Sequence, residues 1–240
     1  MTRIQVYMAK FHKDRPLKHE VKLPEWILPI QVGAALTEKR IAELVDSSGT
    51  HISYKNGNYC ELTALYWIWK NRLCSDRVCA GEESSAAYYG LFHYRRLLDV
   101  TDADVTRLAA YGVDAVLPFP TVHEPDIREH HARYVTESDW DAVLQALQEL
   151  APAYYAAYDR IFSQAYLYNY NILIARAAVL KQYCEWLFPI LERVEALSRT
   201  RGRERSDRYI GYIGENLLTL YFMYHSKALH LVCTGRRMLT

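Results

Sequence analysis

A basic cluster, His93-Tyr94-Arg95-Arg96, is the most informative local feature of the sequence. It lies at the end of the aromatic-rich stretch 88–94, which predicts a β-strand, and ligands of open α/β sheets bind where strands end. Arginine can offer two parallel hydrogen bonds to phosphate oxygens. We therefore expect His93, Arg95 and Arg96 to neutralise a diphosphate, the alternative being a solvated basic edge. Neighbouring side chains of an extended segment point to opposite faces, so one arginine can be structural.

Glu215 lies in the segment 208–225, whose apolar residues fall on nearly every face of a predicted helix. Such a helix is buried, and a buried carboxylate is costly unless it is paired or used. Desolvation raises the pKa of a carboxyl group and makes it a better proton acceptor. The sequence leaves two roles open for Glu215, general base and partner of an arginine in a structural ion pair.

Two asparagines, Asn169 and Asn171, interrupt the otherwise apolar segment 168–175, which predicts a strand. Because asparagine is depleted in strands, these two indicate polar contacts, with sugar hydroxyls as candidates. A bulge or local bonding to the backbone is the alternative.

Asn58, Tyr59 and Glu61 begin a predicted helix over 58–71 and can likewise face a ligand. Capping of the helix by Asn58, with Glu61 three residues later, explains two of them without a ligand and is the favoured interpretation.

The segment 119–136 is polar and rich in histidine, and its apolar residues show no regular spacing. This predicts a long loop with a lid or acceptor-binding role. His130 and His131 are its candidate acceptor-binding residues. The spacing of its histidines and carboxylates matches no familiar zinc pattern, so we expect no metal site.

The pair Asp102 and Asp104 has the spacing of a metal-binding Asp-x-Asp. Capping of the next helix by Thr101 or Asp102 explains the same residues and is favoured.

The elements that position these residues alternate between strands and helices. Strands are predicted at 4–9, 27–32, 88–94, 113–117, 168–175 and 229–233, and helices at 35–45, 58–71, 103–110, 139–150, 153–162, 177–198 and 208–225. The segments 75–87 and 199–206 are expected to be loops. This alternation predicts an α/β fold with a sheet covered by helices. Residues 1–240 are expected to form one domain.

Composition excludes several classes of protein. The net charge of +1 argues against a general nucleic-acid binder. The five cysteines are odd in number and form no C-x-x-C pair, so reduced thiols in a cytoplasmic protein are expected. No apolar stretch approaches the roughly 20 residues that span a bilayer. Motifs of dinucleotide, P-loop and nucleophile-elbow enzymes are absent from the sequence.

The stretches 30–34, 58–71, 90–96 and 183–188, with Glu215-Asn216-Leu217-Leu218, resemble a family long labelled as a domain of unknown function. Its members occur among bacterial capsular and exopolysaccharide biosynthesis proteins and are described as glycosyltransferases, some galactosyl- or galactofuranosyltransferase-like. The resemblance implies a GT-A-like fold with a Rossmann-like nucleotide-binding sheet. It implies a nucleotide-sugar-binding half, 1–118, and an acceptor-side half, 119–240.

The resemblance also implies roles for single residues. Most GT-A enzymes hold a metal with an Asp-x-Asp after a central strand, where this chain has the basic cluster, so arginine is expected to replace the metal. Glu215 is then the candidate base if the reaction inverts the anomeric carbon, whereas a retaining reaction, which the sequence leaves open, needs no such base. Lys10 and His12 are expected to approach the nucleotide. The implied donor is a UDP-sugar, with galactose and galactofuranose as candidates. The implied acceptor is a lipid-linked oligosaccharide at the cytoplasmic membrane face.

Two rival functions remain at this point. A non-catalytic carbohydrate-binding subunit of a polysaccharide assembly complex fits the twenty tyrosines, but leaves a diphosphate-sized basic site unexplained. A sugar nucleotidyltransferase would need a glycine-rich loop after the first strand, and residues 8–16 contain no glycine.

Overall fold

The computed structural model describes residues 3–19, 21–74, 87–198 and 207–240. The strands of this part of the chain are β1 (Ile4–Phe11), β2 (Ile27–Val32), β3 (Leu44–Val45), β4 (Tyr88–His93), β5 (Arg96–Leu98), β6 (Ala115–Pro118), β7 (Thr121–Val122), β8 (Tyr166–Leu167), β9 (Leu173–Arg176), β10 (Leu231–Thr234) and β11 (Arg236–Met238). Its α-helices are Asn56–Tyr59, Leu62–Ile68, Asp102–Ala110, Ile127–His131, Glu137–Leu150, Pro152–Phe162, Ala177–Leu197 and Tyr209–Tyr224.

Most of these strands form one mixed sheet with the order β10-β6-β9-β4-β1-β2-β3. Four of the six neighbouring pairs along this order are parallel, and β9 is antiparallel to both of its neighbours. β5 pairs with β4, and β11 pairs with β5. The predicted α/β class, with a sheet flanked by helices, is confirmed.

The two faces of the sheet bury different cores because side chains alternate along each strand. In β1, Tyr7 contributes to the larger core and Met8 to the smaller one. Helices Leu62–Ile68, Ala177–Leu197 and Tyr209–Tyr224 fill the larger core, whereas helix Asp102–Ala110 covers the smaller one. The β1 and β4 strands are parallel, so the residues that follow them meet at one edge of the sheet.

The prediction of a helix over 35–45 is wrong. Only the short 3-10 helix Ala34–Leu36 forms there, followed by β3. The side chain of Gln31 donates to the carbonyl of Lys39 (2.7 Å) and accepts from the amide of Ile41 (2.9 Å). These bonds satisfy backbone groups that a helix would pair internally, so the segment stays irregular.

The predicted helix over 58–71 is interrupted. Asn58 lies inside helix Asn56–Tyr59, Cys60 breaks the helical path with φ 51, and a π-helical turn at Trp69–Leu73 ends the segment. Glu61 precedes helix Leu62–Ile68 without capping it through its side chain. The favoured capping interpretation of Asn58 and Glu61 is therefore wrong.

The predicted strand 168–175 is also interrupted, because Tyr170 and Asn171 have φ 75 and φ 50. Asn169 and Asn171 lie between β8 and β9 rather than in a strand. The predicted loop 119–136 contains β7 and helix Ile127–His131.

Other helices follow the predictions closely. Thr101 and Asp104 form a reciprocal capping box at helix Asp102–Ala110, which confirms the capping interpretation of the Asp-x-Asp. The predicted loops 75–87 and 199–206 lie almost wholly outside the described residues. No helix within the described ranges is long and apolar enough to cross a membrane.

Candidate functional site

A cavity of about 730 Å³ opens at the edge of the sheet where β1 and β4 end. This is where parallel α/β sheets bind ligands. Its lining combines carboxylates (Asp14, Glu61, Glu215), basic groups (His93, Arg95, Arg96, Arg208), histidines and tyrosines (His123, His130, Tyr94, Tyr134, Tyr170, Tyr212) and the residues Leu167, Asn169, Asn216 and Met238.

The two arginines of the basic cluster differ in their contacts. β4 turns back into β5 with His93 paired to Arg96. The Arg95 Nε donates to the carbonyl of Leu239 (3.3 Å), and the Leu239 amide donates to the Arg95 carbonyl (2.9 Å). Arg96 lies over the Tyr170 ring, 4.4 Å from its centroid, and its Nε has no hydrogen-bond partner among the described residues. Arg95 therefore holds the backbone at Leu239, and Arg96 keeps a free donor for a ligand.

Glu61 is buried, and its carboxylate is held on both oxygens. Oε1 accepts from Asn171 Nδ2 at 2.7 Å, and Oε2 lies 3.7 Å from His93 Nε2. Burial opposes the charged form, but the His93 contact and the Asn171 hydrogen bond outweigh it and place the pKa of Glu61 below its usual value. Glu61 is therefore a fixed negative charge in the wall of the cavity.

Glu215 borders the cavity from helix Tyr209–Tyr224 and remains partly accessible there. Burial and then the charge of Glu61 raise the pKa of Glu215 to about 7, against the opposing effects of a Tyr170 backbone hydrogen bond and of His93 and Arg96. A carboxyl with a pKa near neutrality exchanges protons readily at physiological pH. No salt bridge to Glu215 forms within the described part of the chain, so the structural ion pair with an arginine is not found there, and the general-base role stays a prediction.

Within the described ranges, the non-glycine residues with a positive φ lie at or beside the cavity. Among the described residues they are Cys60, Tyr170, Asn171 and Arg208. Arg208 donates to Cys60 Sγ at 3.2 Å, and Asn171 bonds both Glu61 and the Gly211 carbonyl. Such conformations persist only where surrounding contacts over-determine them, and they concentrate at functional sites.

The structure brings together seven of the predicted site residues in the cavity lining, namely Glu61, His93, Arg95, Arg96, His130, Asn169 and Glu215. The other predicted residues do not line it. Lys10 and His12 lie at the end of β1 outside the lining, with the His12 ring packed on Phe11 (4.3 Å between centroids).

The remaining predicted residues are buried beside or away from the cavity. Asn58 is buried, and the Tyr59 hydroxyl donates to Glu195 at 3.2 Å. His131 stacks on Trp140 in the core, 3.8 Å between ring centroids. Asn171 lies outside the cavity lining and contacts the site through its hydrogen bond to Glu61.

Sequence reasoning missed Arg208, Tyr212 and Asn216 as lining residues. Together with Glu215 they recur at intervals of three and four, which places them on one face of the helix and of the turn that begins it. Polar residues at helical spacing in an otherwise apolar helix are a signal that could have found them.

Asp102 and Asp104 lie outside the cavity lining and are used locally. Asp104 serves the capping box, and Asp102 Oδ1 accepts from Trp26 Nε1 at 2.7 Å. Among the described residues, no group of three or more His, Cys, Asp and Glu side chains is placed to hold a metal ion.

Residues 5–227 match the family described as "Domain of unknown function (DUF4422)". The chain belongs to the DUF4422 family. This DUF4422 chain is also similar to the solved apo structure of the bifunctional glycosyltransferase WbbM, with a TM-score of 0.81 and 25% sequence identity. The match covers 99% of this chain and 45% of that one, so the chain spans under half the length of that protein. No curated protein sequence matches the chain.

Proposed function

We propose that this protein is a glycosyltransferase that moves a sugar from a UDP-sugar to a hydroxyl group of a polysaccharide precursor. The observation that carries the proposal is the pairing, in one cavity, of a cluster of arginines with the near-neutral carboxyl of Glu215. The fold that the chain shares with WbbM, a bifunctional glycosyltransferase, supports it.

The diphosphate of the donor binds against the basic side chains of the cavity lining, His93, Arg95, Arg96 and Arg208, which we call the basic wall. Arg96 is its principal contact, with His93, Arg95 and Arg208 beside it, since the Nε of Arg95 is bonded to Leu239 and that of Arg208 to Cys60. As the bond between the sugar and the diphosphate breaks, negative charge develops on the leaving phosphate. Fixed guanidinium groups in a partly closed cavity stabilise that charge without reorganising.

Glu215 removes the proton from the attacking hydroxyl. The acceptor oxygen forms a bond to the anomeric carbon, its proton passes to the Glu215 carboxylate, and the bonding electrons of the leaving group go to UDP. A positioned base contributes typically 10²–10⁴-fold to such a step. This path corresponds to inversion at the anomeric carbon.

The finer parts of the proposal rest on the family resemblance. Galactose and galactofuranose are the proposed sugars, and the acceptor is a lipid-linked oligosaccharide of capsule, exopolysaccharide or O-antigen synthesis at the cytoplasmic membrane face. We further propose that the reaction needs no divalent metal. Guanidinium groups line the cavity, Asp102 and Asp104 lie outside it, and the lining carboxylates Asp14, Glu61 and Glu215 belong to no group of described residues placed to hold a metal ion.

Calorimetric titration with UDP in the presence of a chelator tests the donor site. We expect UDP to bind, uridine to bind far more weakly, and added magnesium or manganese to change neither affinity. Absence of UDP binding under every condition would contradict the proposal and favour a carbohydrate-binding subunit. Binding that requires the metal would contradict only the metal-independent part.

A further inference from the structure

One part of the cavity lining consists of aromatic rings packed on one another rather than of arginines. Tyr134 and Tyr212 stack with 4.8 Å between centroids and an interplanar angle of 27°. The His130 ring lies 5.4 Å from Tyr134 and 3.6 Å from the His123 ring. Tyr134 lines the cavity and half of its surface is exposed (50%), so part of this residue is open to a ligand.

The two histidines of this wall are uncharged at physiological pH. Burial, followed by the neighbouring His123 and Arg133, lowers the pKa of His130 to about 4, and burial lowers the pKa of His123 as well. Both imidazoles are therefore uncharged. The rings themselves therefore present uncharged surfaces to a ligand.

The same wall offers directional polar groups. His123 Nε2 lies 2.7 Å from Thr121 Oγ1, which also accepts from Asn169 Nδ2 at 2.8 Å. Asn169 is buried (7% exposed), and its Oδ1, like the Nδ1 of His130, has no hydrogen-bond partner among the described residues. Buried polar atoms normally have a hydrogen-bond partner, so these two atoms are open to the hydroxyl groups of a ligand.

From these contacts we infer that the Tyr134–Tyr212 wall is the subsite for an uncharged pyranose ring of the acceptor, an assignment that rests on the proposed function. Aromatic faces pack against the apolar faces of sugar rings while polar groups at the edge take the hydroxyls. Tyr212 and Glu215 are three residues apart on one helix and so lie on the same face. A sugar stacked on the tyrosines thus presents a hydroxyl to Glu215.

The test is saturation-transfer NMR with methyl galactopyranosides, glucopyranosides and mannopyranosides, with and without UDP. Tyr134→Ala removes the stacking ring, Tyr134→Phe keeps it, and Tyr111→Ala is the control at a tyrosine that is 69% exposed and outside the cavity. We expect at least one glycoside to bind wild type, Tyr134→Phe and Tyr111→Ala alike. Its affinity for Tyr134→Ala should fall about 10-fold, the scale of one aromatic contact, with UDP affinity unchanged.

Two results would overturn the subsite: no glycoside binding to the wild type, or equal glycoside binding to Tyr134→Ala and the wild type. Failure of the wild type to bind UDP would instead contradict the glycosyltransferase proposal. Selective loss of glycoside binding in Tyr134→Ala would still support a sugar subsite in that case.

Discussion

The charge of Glu61 acts on Glu215, and after burial it is the largest cause of the raised pKa of that carboxyl. Glu61 itself is kept ionised by His93 and by the hydrogen bond from Asn171. The Glu61 carboxylate is thus a permanent charge, while the Glu215 carboxyl titrates near neutrality. Environments that push two carboxyl pKa values apart are a recurring way of dividing roles between acid groups.

Glu61→Gln should therefore move the pH dependence of transfer. Because Glu215 acts as a base, the rate rises as its carboxyl deprotonates around its pKa of about 7. Removing the negative charge of Glu61 favours the ionised form, so the inflection should shift to lower pH by on the order of one pH unit. The glutamine oxygen can still accept from Asn171. A pH–rate profile with an unchanged inflection would show that Glu61 does not tune Glu215.

Arg96→Ala should weaken UDP binding by on the order of 10-fold or more, because it removes a charge-assisted contact to phosphate. Arg95→Ala should lower thermal stability and weaken UDP binding less, since Arg95 holds Leu239. Arg107→Ala, on the exposed side of helix Asp102–Ala110, is the control. Equal UDP affinity in all three variants and the wild type would refute the assignment of the basic wall to the diphosphate.

Glu215→Gln should stabilise the protein in alkaline but not in acidic solution. The folded pKa of about 7 lies above the ordinary value of 4.5, so the folded state loses stability as pH rises through this interval. Glutamine does not ionise, so the variant does not lose this stability as the pH rises. At about pH 8 the variant should exceed the wild type by about 2–3 kcal/mol, and at about pH 4 the two should match. A pH-independent difference in chemical denaturation would contradict the raised pKa.

Gly90→Ala should destabilise the fold by about 2–3 kcal/mol, the scale of an overpacked core. A Cβ at Gly90 would lie 2.5 Å from the backbone oxygen of Leu173 in the neighbouring strand. Gly235→Ala is the matched control, because its nearest neighbour would be Asp99 Cβ at 3.8 Å. Comparable melting temperatures for the two variants would mean that β4 and β9 do not approach as described.

Periodicity predicted the long elements because burial of one face dictates their sequences. Helices 177–198 and 208–225 and the strand 27–32 were predicted to within about one residue at each end. It failed where polar side chains replace backbone partners, as Gln31 does for the segment 35–45. It failed again at Cys60, Tyr170 and Asn171, whose positive φ angles the hydrophobic pattern does not reveal.

The same conformations decide how much of the site was predictable. Glu215 and the basic cluster were found because a carboxylate in an apolar helix and paired arginines at a strand end are locally unusual. The partnership of Asn171 with Glu61 joins residues 110 positions apart, and it depends on a turn that the apolar pattern of 168–175 conceals. The Tyr134–Tyr212 stack is likewise visible only once the chain is folded.

Transfer of radiolabelled sugar tests the central claim most directly. Wild type, Glu215→Gln and the surface control Glu185→Gln are incubated with a panel of labelled UDP-sugars and a membrane fraction of the organism that encodes the protein. Label in the lipid-linked oligosaccharide fraction should appear with the wild type and the control, and about 100-fold more slowly with Glu215→Gln, while UDP affinity stays equal. Transfer by Glu215→Gln at the wild-type rate, or no transfer from any UDP-sugar by the wild type, would contradict the account.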